Sequence, residues 1–264
     1  MFPYLYPIAW SFHRSTIHAV FNFDPADQPV LVKPDDDYTQ PGGMKRYSGA
    51  SVVRLPASLP PDMALGAAIA ERASCRRFSS RALTLAQLST LLTSAYSVSM
   101  PPSPVERPVP SAGGRYPLEV YLFVWNVEGV VSGTYHYQPL QHALEHLGPV
   151  PERSKIPSLF LDQPYLADAG ALIILTAVAE RLLYRYGDRG YRYLLMEAGH
   201  VSQNLALVAA AVDVGCLSLG GFQDDALSAL LNLQPDREIA LYGIAIGARA
   251  TRDRNEGRGL NAVG

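Results

Sequence analysis

Arg72-Ala-Ser-Cys-Arg-Arg-Phe78 closes an apolar, helix-like run and packs three guanidiniums and a hydroxyl into one short stretch. Arginine offers a planar fork of donors matched to phosphate oxygens, and Ser74 adds a further hydrogen bond, so the cluster calls for an anion. A solvated basic turn is the alternative, and the stretch by itself leaves both open. The segments around it decide how it is read.

Upstream, residues 1–60 are proline-rich and read as an irregular N-terminal extension that is part of the fold. The acidic run Asp35-Asp36-Asp37 and the Gly42-Gly43 turn suit a solvated loop better than a cation site. Asp62 is placed to cap a helix through Met63, Leu65, Ala68 and Ile69 that delivers Arg72. Downstream, Thr84 caps a second helix with Leu85, Leu88, Leu91 and Leu92 on one face. Strands are expected over 118–127, 134–137, 143–147 and 171–178, a short helix over 180–186 and a long one over 190–212. A glycine-rich strand or loop follows over 215–222, then a helix from Asp224 and a last strand over 238–247. Helices and strands alternate without repeats. The fold class is α+β: a mixed central sheet flanked by helices, with 61–264 as one domain.

The chain has 264 residues, enough to bury a substantial core, and its 48% hydrophobic and 17% charged content describes an ordered globular protein. A formal net charge of −2 gives no general attraction to nucleic acid or to an anionic membrane. The two cysteines, Cys75 and Cys216, match no metal-ligand spacing and suit a reducing, cytoplasmic setting. The apolar start, MFPYLYPIAWSF, lacks a basic leader and is broken by Pro3 and Pro7. The longest apolar candidate for a membrane span, 194–212, contains Glu197, His200, Gln203 and Asn204, so it reads as a buried helix of a soluble protein.

Two further segments carry chemistry. Ser111-Ala-Gly-Gly-Arg115, between Pro110 and Pro117, exposes main chain where a flat ring can approach it. Gly215-Cys-Leu-Ser-Leu-Gly-Gly-Phe222 repeats the theme, as amide donors aimed at an electron-rich atom or as a tight bend. His136, His142 and His146 are spaced for packing rather than for a metal. His200 and Asn204 share a helix face and, with Glu197, suit polar contacts inside an apolar helix. Cys75 reads as a small filler and Cys216 as a core residue.

These motifs resemble those of a known family. Arg72-x-Ser74-x-Arg76-x-Phe78 is similar to the phosphate-binding entry of the nitroreductase superfamily of FMN enzymes. RPVPSAGGRYPLEVYLFV, TYHYQPLQHALEHLG, RYGDRGYRYLLMEAGHVSQNLALVAAA and GCLSLGGF resemble the SagB-type dehydrogenases, which include azoline oxidases of peptide-modifying gene clusters. FHRST and KRYSGASVVRLP match that branch too, so the resemblance runs from about residue 10 to residue 250. It implies a nitroreductase-like fold and a homodimer with FMN at the subunit interface. Carried over by motif, Arg72, Ser74 and Arg76 would hold the FMN phosphate and ribityl chain, and Arg249 would add a second phosphate contact. Ser111 and Gly113 would lie along the ring, and Gly220 and Gly221 would offer N–H groups near flavin N5. Arg77 would face away.

One pair departs from the pattern. Azoline-oxidising members tend to carry Lys-Tyr before the GxRxYR segment, where this chain has Arg185-Tyr186. Arginine stays protonated, so Arg185 would orient or stabilise charge, and its cation would favour Tyr186 as base or proton relay. The resemblance implies desaturation of a C–N or C–C bond in a peptide or carrier-bound intermediate, as from azoline to azole, with hydride passing to flavin N5 and oxygen reoxidising it. A cyclodehydratase or a peptide synthetase would be the partner. Reduction of nitro or quinone compounds by NAD(P)H, or a non-catalytic scaffold role, are the alternatives.

Overall fold

Every position of Ala171–Val178 (β5, ALIILTAV) is buried, because this strand is covered on both faces at the middle of a seven-stranded sheet. The computed structural model describes residues 2–16, 31–35, 44–58, 60–98 and 107–250. The other strands are Ser51–Arg54 (β1), Leu118–Val124 (β2), Gly133–Gln138 (β3), Ala143–Gly148 (β4), Val214–Leu219 (β6) and Glu238–Ala248 (β7), in the spatial order β1-β4-β3-β2-β5-β7-β6. All six pairings are antiparallel, so the expected α+β sheet is mixed only at single bridges, Ser74 with Cys216 and Leu83 with Val127. A doubly buried apolar run carries no mark of its partner's direction, since parallel strands have the same texture.

The helices are Phe2–Leu5 (α1), Pro7–Thr16 (α2), Leu65–Glu71 (α3), Leu85–Tyr96 (α4), Ile156–Leu159 (α5), Glu180–Tyr186 (α6), Gly190–Ala211 (α7) and Asp224–Leu230 (α8). Strand alternation sends Leu118, Val120, Leu122 and Val124 to one face, where they join Leu88, Leu91 and Leu92 of α4 and Leu194, Val201 and Leu205 of α7. Tyr121, Phe123, Leu172 and Ile174 point to the other, against Phe160 and α8's Leu227.

Thr84 caps α4 as expected, and with Gln87 it forms a reciprocal capping box. Asp62 does not cap α3. That helix begins at Leu65 behind Ala64, which makes no side-chain cap bond, and Asp62 lies too far upstream to reach the first-turn amides. The segment expected to be irregular contains α1, α2 and β1. The Gly42-Gly43 turn, Asp36 and Asp37 lie outside the described residues. β1 extends the sheet by pairing with β4, and α2 docks through the Ala9 N–H on Asp188 and through His13 Nδ1, 3.0 Å from the Tyr191 hydroxyl.

Beneath α6 the sheet buries a charged cluster. Both nitrogens of His136 face carboxylates, Glu145 at 2.7 Å and Glu119 at 2.8 Å. Ionised carboxylates only accept, so both nitrogens must donate and the ring is an imidazolium. Glu119 also meets Arg181 at 2.6 Å, and Lys45 meets Glu238 and Tyr121. Glu119, Glu145 and Glu238 are thus balanced by His136, Arg181 and Lys45. Burial opposes the charged ring, but hydrogen bonds to the two carboxylates raise the His136 pKa overall. Burial likewise opposes the Glu119 anion, yet Arg181 and then His136 hold its carboxyl well below the usual range.

The linkage follows from these directions. His136 contributes stability that is complete below its ordinary 6.5 and is lost as pH rises through its higher folded-state value. Glu119 contributes stability that is complete above its ordinary 4.5 and is lost as pH falls through its lower folded-state value. His136→Gln should therefore flatten the alkaline decline of unfolding free energy in urea titrations, while costing about 3–5 kcal/mol by leaving two carboxylates facing a neutral amide. An unchanged pH profile in that variant would refute the imidazolium assignment.

Candidate functional site

The arginine-bearing segment lies along the end of the sheet where β6 starts and β7 finishes. The Cys75 N–H donates to the Cys216 carbonyl (2.9 Å) and the Ser79 N–H to the Ala248 carbonyl (2.8 Å). Phe78 pairs with Arg249 in an antiparallel bridge. Two glycines make this contact possible. Gly215 and Gly247 are register partners on β6 and β7. A Cβ on Gly215 would stand 2.7 Å from Cys75 Sγ, and one on Gly247 would stand 2.7 Å from Phe78 Cδ1. The bare backbone leaves room for Cys75 and Phe78, which anchor the segment from below.

Arg72, at the C-cap of α3, Ser74 and Arg76 are exposed, and alternate residues of an extended segment share a face. Among the described residues their side chains make no hydrogen bond or ion pair. Arg249 joins them: Arg72 and Arg249 both act on the Cys216 thiol, which burial nevertheless pushes up to about 12. The Arg249 Nε donates to the Val214 carbonyl (3.2 Å) and lies 4.0 Å from Asp213. Arg77 is exposed as well, with its carbonyl accepting from the Ala250 N–H. Both cysteines are free, and Cys216 is an inert core thiol.

Gly220 and Gly221 follow the far end of β6, about 13 Å from Cys216 at the usual strand rise. A Cβ on Gly221 would stand 2.7 Å from Leu161, whereas Gly220 faces open space apart from Tyr242. In the 111–116 loop, Ser111 Oγ accepts the Tyr116 N–H at 2.8 Å. Gly113 has φ +62°, and a Cβ there would stand 2.6 Å from the Tyr186 hydroxyl. Tyr186 sits edge-on to Tyr193 at 5.2 Å. The fold thus joins two motifs 73 residues apart in sequence, Gly113 and Tyr186. Arg185 is exposed at the end of α6 and makes no hydrogen bond or ion pair among the described residues.

The remaining polar residues divide. Asn204 donates to the Ser94 carbonyl, tying α7 to α4, while His200 is exposed rather than buried. Glu197 is buried and accepts the Tyr96 hydroxyl. His136, His142 and His146 occupy three separate environments, and no group of metal-ligating side chains occurs among the described residues. No helix among them is long and apolar enough to cross a membrane. Sequence reasoning overlooked the pairing of Gly215 with Gly247; two glycines inside apolar strands were the signal for it.

The nitroreductase family model matches residues 69–248. A Methanocaldococcus jannaschii protein named as a nitroreductase is 36% identical over 179 residues, covering 68% of this chain and 88% of that one. The microcin B17-processing protein McbC of Escherichia coli is 35% identical over 161 residues, or 57% of each chain, so a large part of that relative lies outside the match. Among solved structures, the E. coli microcin synthetase McbBCD complex with truncated pro-MccB17 bound is 31% identical with a TM-score of 0.59, over 66% of this chain and 68% of that one.

Gly113 and Gly114 share φ +62°, but a Cβ on Gly114 meets nothing within 4 Å. Each alanine substitution should carry the left-handed strain of about 1–2 kcal/mol. Gly113→Ala should lose more, because it also displaces Tyr186. Thermal unfolding of both variants checks this, and Tyr186→Phe, which removes the hydroxyl, should relieve the excess in Gly113→Ala alone.

Proposed function

The chain belongs to the nitroreductase family, and from that premise we propose that it is an FMN-dependent dehydrogenase of the SagB type. In this reading it works as a homodimer in the cytoplasm and desaturates a C–N or C–C bond of a peptide or carrier-bound intermediate, as from an azoline to an azole. The supporting observation is the unpaired set Arg72, Ser74 and Arg76 with Arg249 at one end of β6, and exposed main chain at Gly220-Gly221 beyond the other. The exposed forks of Arg72 and Arg76, which meet no protein carboxylate among the described residues, fit a phosphate dianion. The likeness to McbC and to a peptide-bound synthetase favours a peptide substrate and a modifying-enzyme partner such as a cyclodehydratase.

FMN, when bound, supplies a hydride acceptor that oxygen can restore. The chain's own residues do the rest. Arg72, Arg76 and Arg249 would neutralise the phosphate, and Ser74 would add a hydrogen bond. Ser111 and Gly113 would lie along the ring, and Gly220 and Gly221 would offer N–H groups to its reactive edge. Tyr186 Oη, held against Gly113, removes or relays the substrate proton. Arg185 stays protonated, so it acts as an electrostatic or orienting group and not as a proton acceptor.

A second reading, reduction of nitro or quinone compounds by NAD(P)H, is favoured by the archaeal relative's name. The two differ in what reduces the flavin: an azoline-bearing peptide consumed with oxygen uptake, or NAD(P)H alone. The purified protein should be yellow with stoichiometric FMN. Arg72→Ala and Arg76→Ala should each weaken FMN binding about ten- to a hundredfold, as expected for losing one charge-assisted contact. A colourless protein that takes up no FMN would overturn the cofactor assignment.

A further inference from the structure

The loop that carries Ser111 and Gly113 rests on an acid buried inside the protein. Glu197, on α7, is 2% exposed. Its Oε1 accepts the Tyr96 hydroxyl at 2.7 Å, and the Tyr96 oxygen accepts the Leu118 N–H at 3.1 Å. The single Tyr96 proton is therefore committed to Glu197. Glu197 Oε2 is enclosed and has no hydrogen-bond partner. The Ser111 hydroxyl stands beside this carboxyl.

The surroundings oppose a charge there. Arg107 is the nearby cation, but its guanidinium stacks over the Tyr96 and Tyr116 rings, 4.1 and 5.0 Å from their centroids, and donates to the Tyr96 carbonyl at 3.0 Å. No ion pair joins it to Glu197 among the described residues. Burial raises the Glu197 pKa, and the Ser111 and Tyr96 hydroxyls and Arg107 only partly offset it. An ionised carboxylate with one oxygen enclosed and unbonded is costly, whereas the protonated acid turns that oxygen into a donor.

A donor on this carboxyl has an acceptor in the Ser111 hydroxyl, which interacts with it. Ser111 Oγ uses one lone pair on the Tyr116 N–H and has a second free. We propose that Glu197 is a neutral carboxylic acid and a positioning residue, whose Oε2–H donates to Ser111 Oγ and turns the Ser111 proton outward as a donor. With both lone pairs engaged, Ser111 can only donate, and its natural recipient is a ring heteroatom of the flavin. That last step rests on the FMN reading; the bond between Glu197 and Ser111 does not.

Three variants test this: Glu197→Gln, Glu197→Leu and Ser111→Ala. Glutamine copies the neutral acid, with an amide N–H for Ser111 and a carbonyl for Tyr96, so E197Q should keep FMN affinity within about twofold and keep the visible spectrum. E197L and S111A should each weaken FMN binding about tenfold, and the double variant no more than either, the loss expected for one neutral hydrogen bond. The apoprotein at neutral pH should show the infrared carbonyl band of a protonated carboxylic acid, absent from E197Q. Absence of that band, a loss in E197Q equal to that in E197L, or additive single-variant effects would overturn the proposal. If wild-type protein takes up no FMN, the cofactor assignment alone fails. The infrared band, and the E197L–S111A coupling measured in thermal unfolding, still decide the Glu197–Ser111 bond.

Discussion

The site depends on the absence of two side chains. Gly215 and Gly247 face each other across β6 and β7, and any Cβ at either would collide with Cys75 or Phe78. Because nothing stands there, the segment after α3 closes onto the end of the sheet with backbone hydrogen bonds at both its ends. That contact holds Arg72 and Ser74 near Arg249, which arrives from the opposite end of the chain. Arg72 and Arg76 make no hydrogen bond or ion pair among the described residues, so the glycine pair and the Cys75 and Phe78 anchors carry their geometry.

Charge is handled in opposite ways at the two ends of the molecule. Under α6 three carboxylates meet three cations with no exposed surface to speak of, and each group has close partners. Removing any one partner there leaves a buried charge uncompensated. At the arginine segment Arg72 and Arg76 are exposed and make no ion pair among the described residues, which leaves them available to a ligand. Glu197 is a third case, buried beside hydroxyls and joined to no cation by an ion pair among the described residues, and burial raises its pKa.

The close approach of Gly113 to Tyr186 links the two stretches whose chemistry is complementary: main chain against which a planar group can lie, and a phenol at its edge. α6 ends at Gly187, with φ +56°, and this turn directs the chain into α7 just after Tyr186. Arg185, one residue earlier, falls on a different side of the helix and remains in solvent. The substitution of arginine for lysine at that position thus touches the surroundings of the tyrosine less than its sequence neighbourhood suggests.

Much of this was legible from sequence alone. The long strand over 171–178, the helices over 180–186 and 190–211, and the Thr84 cap follow from periodicity and capping chemistry, which act over a few neighbouring residues. Motif order pointed to the nitroreductase family before any coordinate. Strand direction, the register that places Gly215 opposite Gly247, the meeting of Gly113 with Tyr186 and the enclosure of Glu197 were decided by tertiary structure. Each depends on what lies across a sheet or beneath a helix, from residues far away in sequence. Local preference cannot encode that, because an identical apolar run or glycine turn is compatible with many partners until packing selects one.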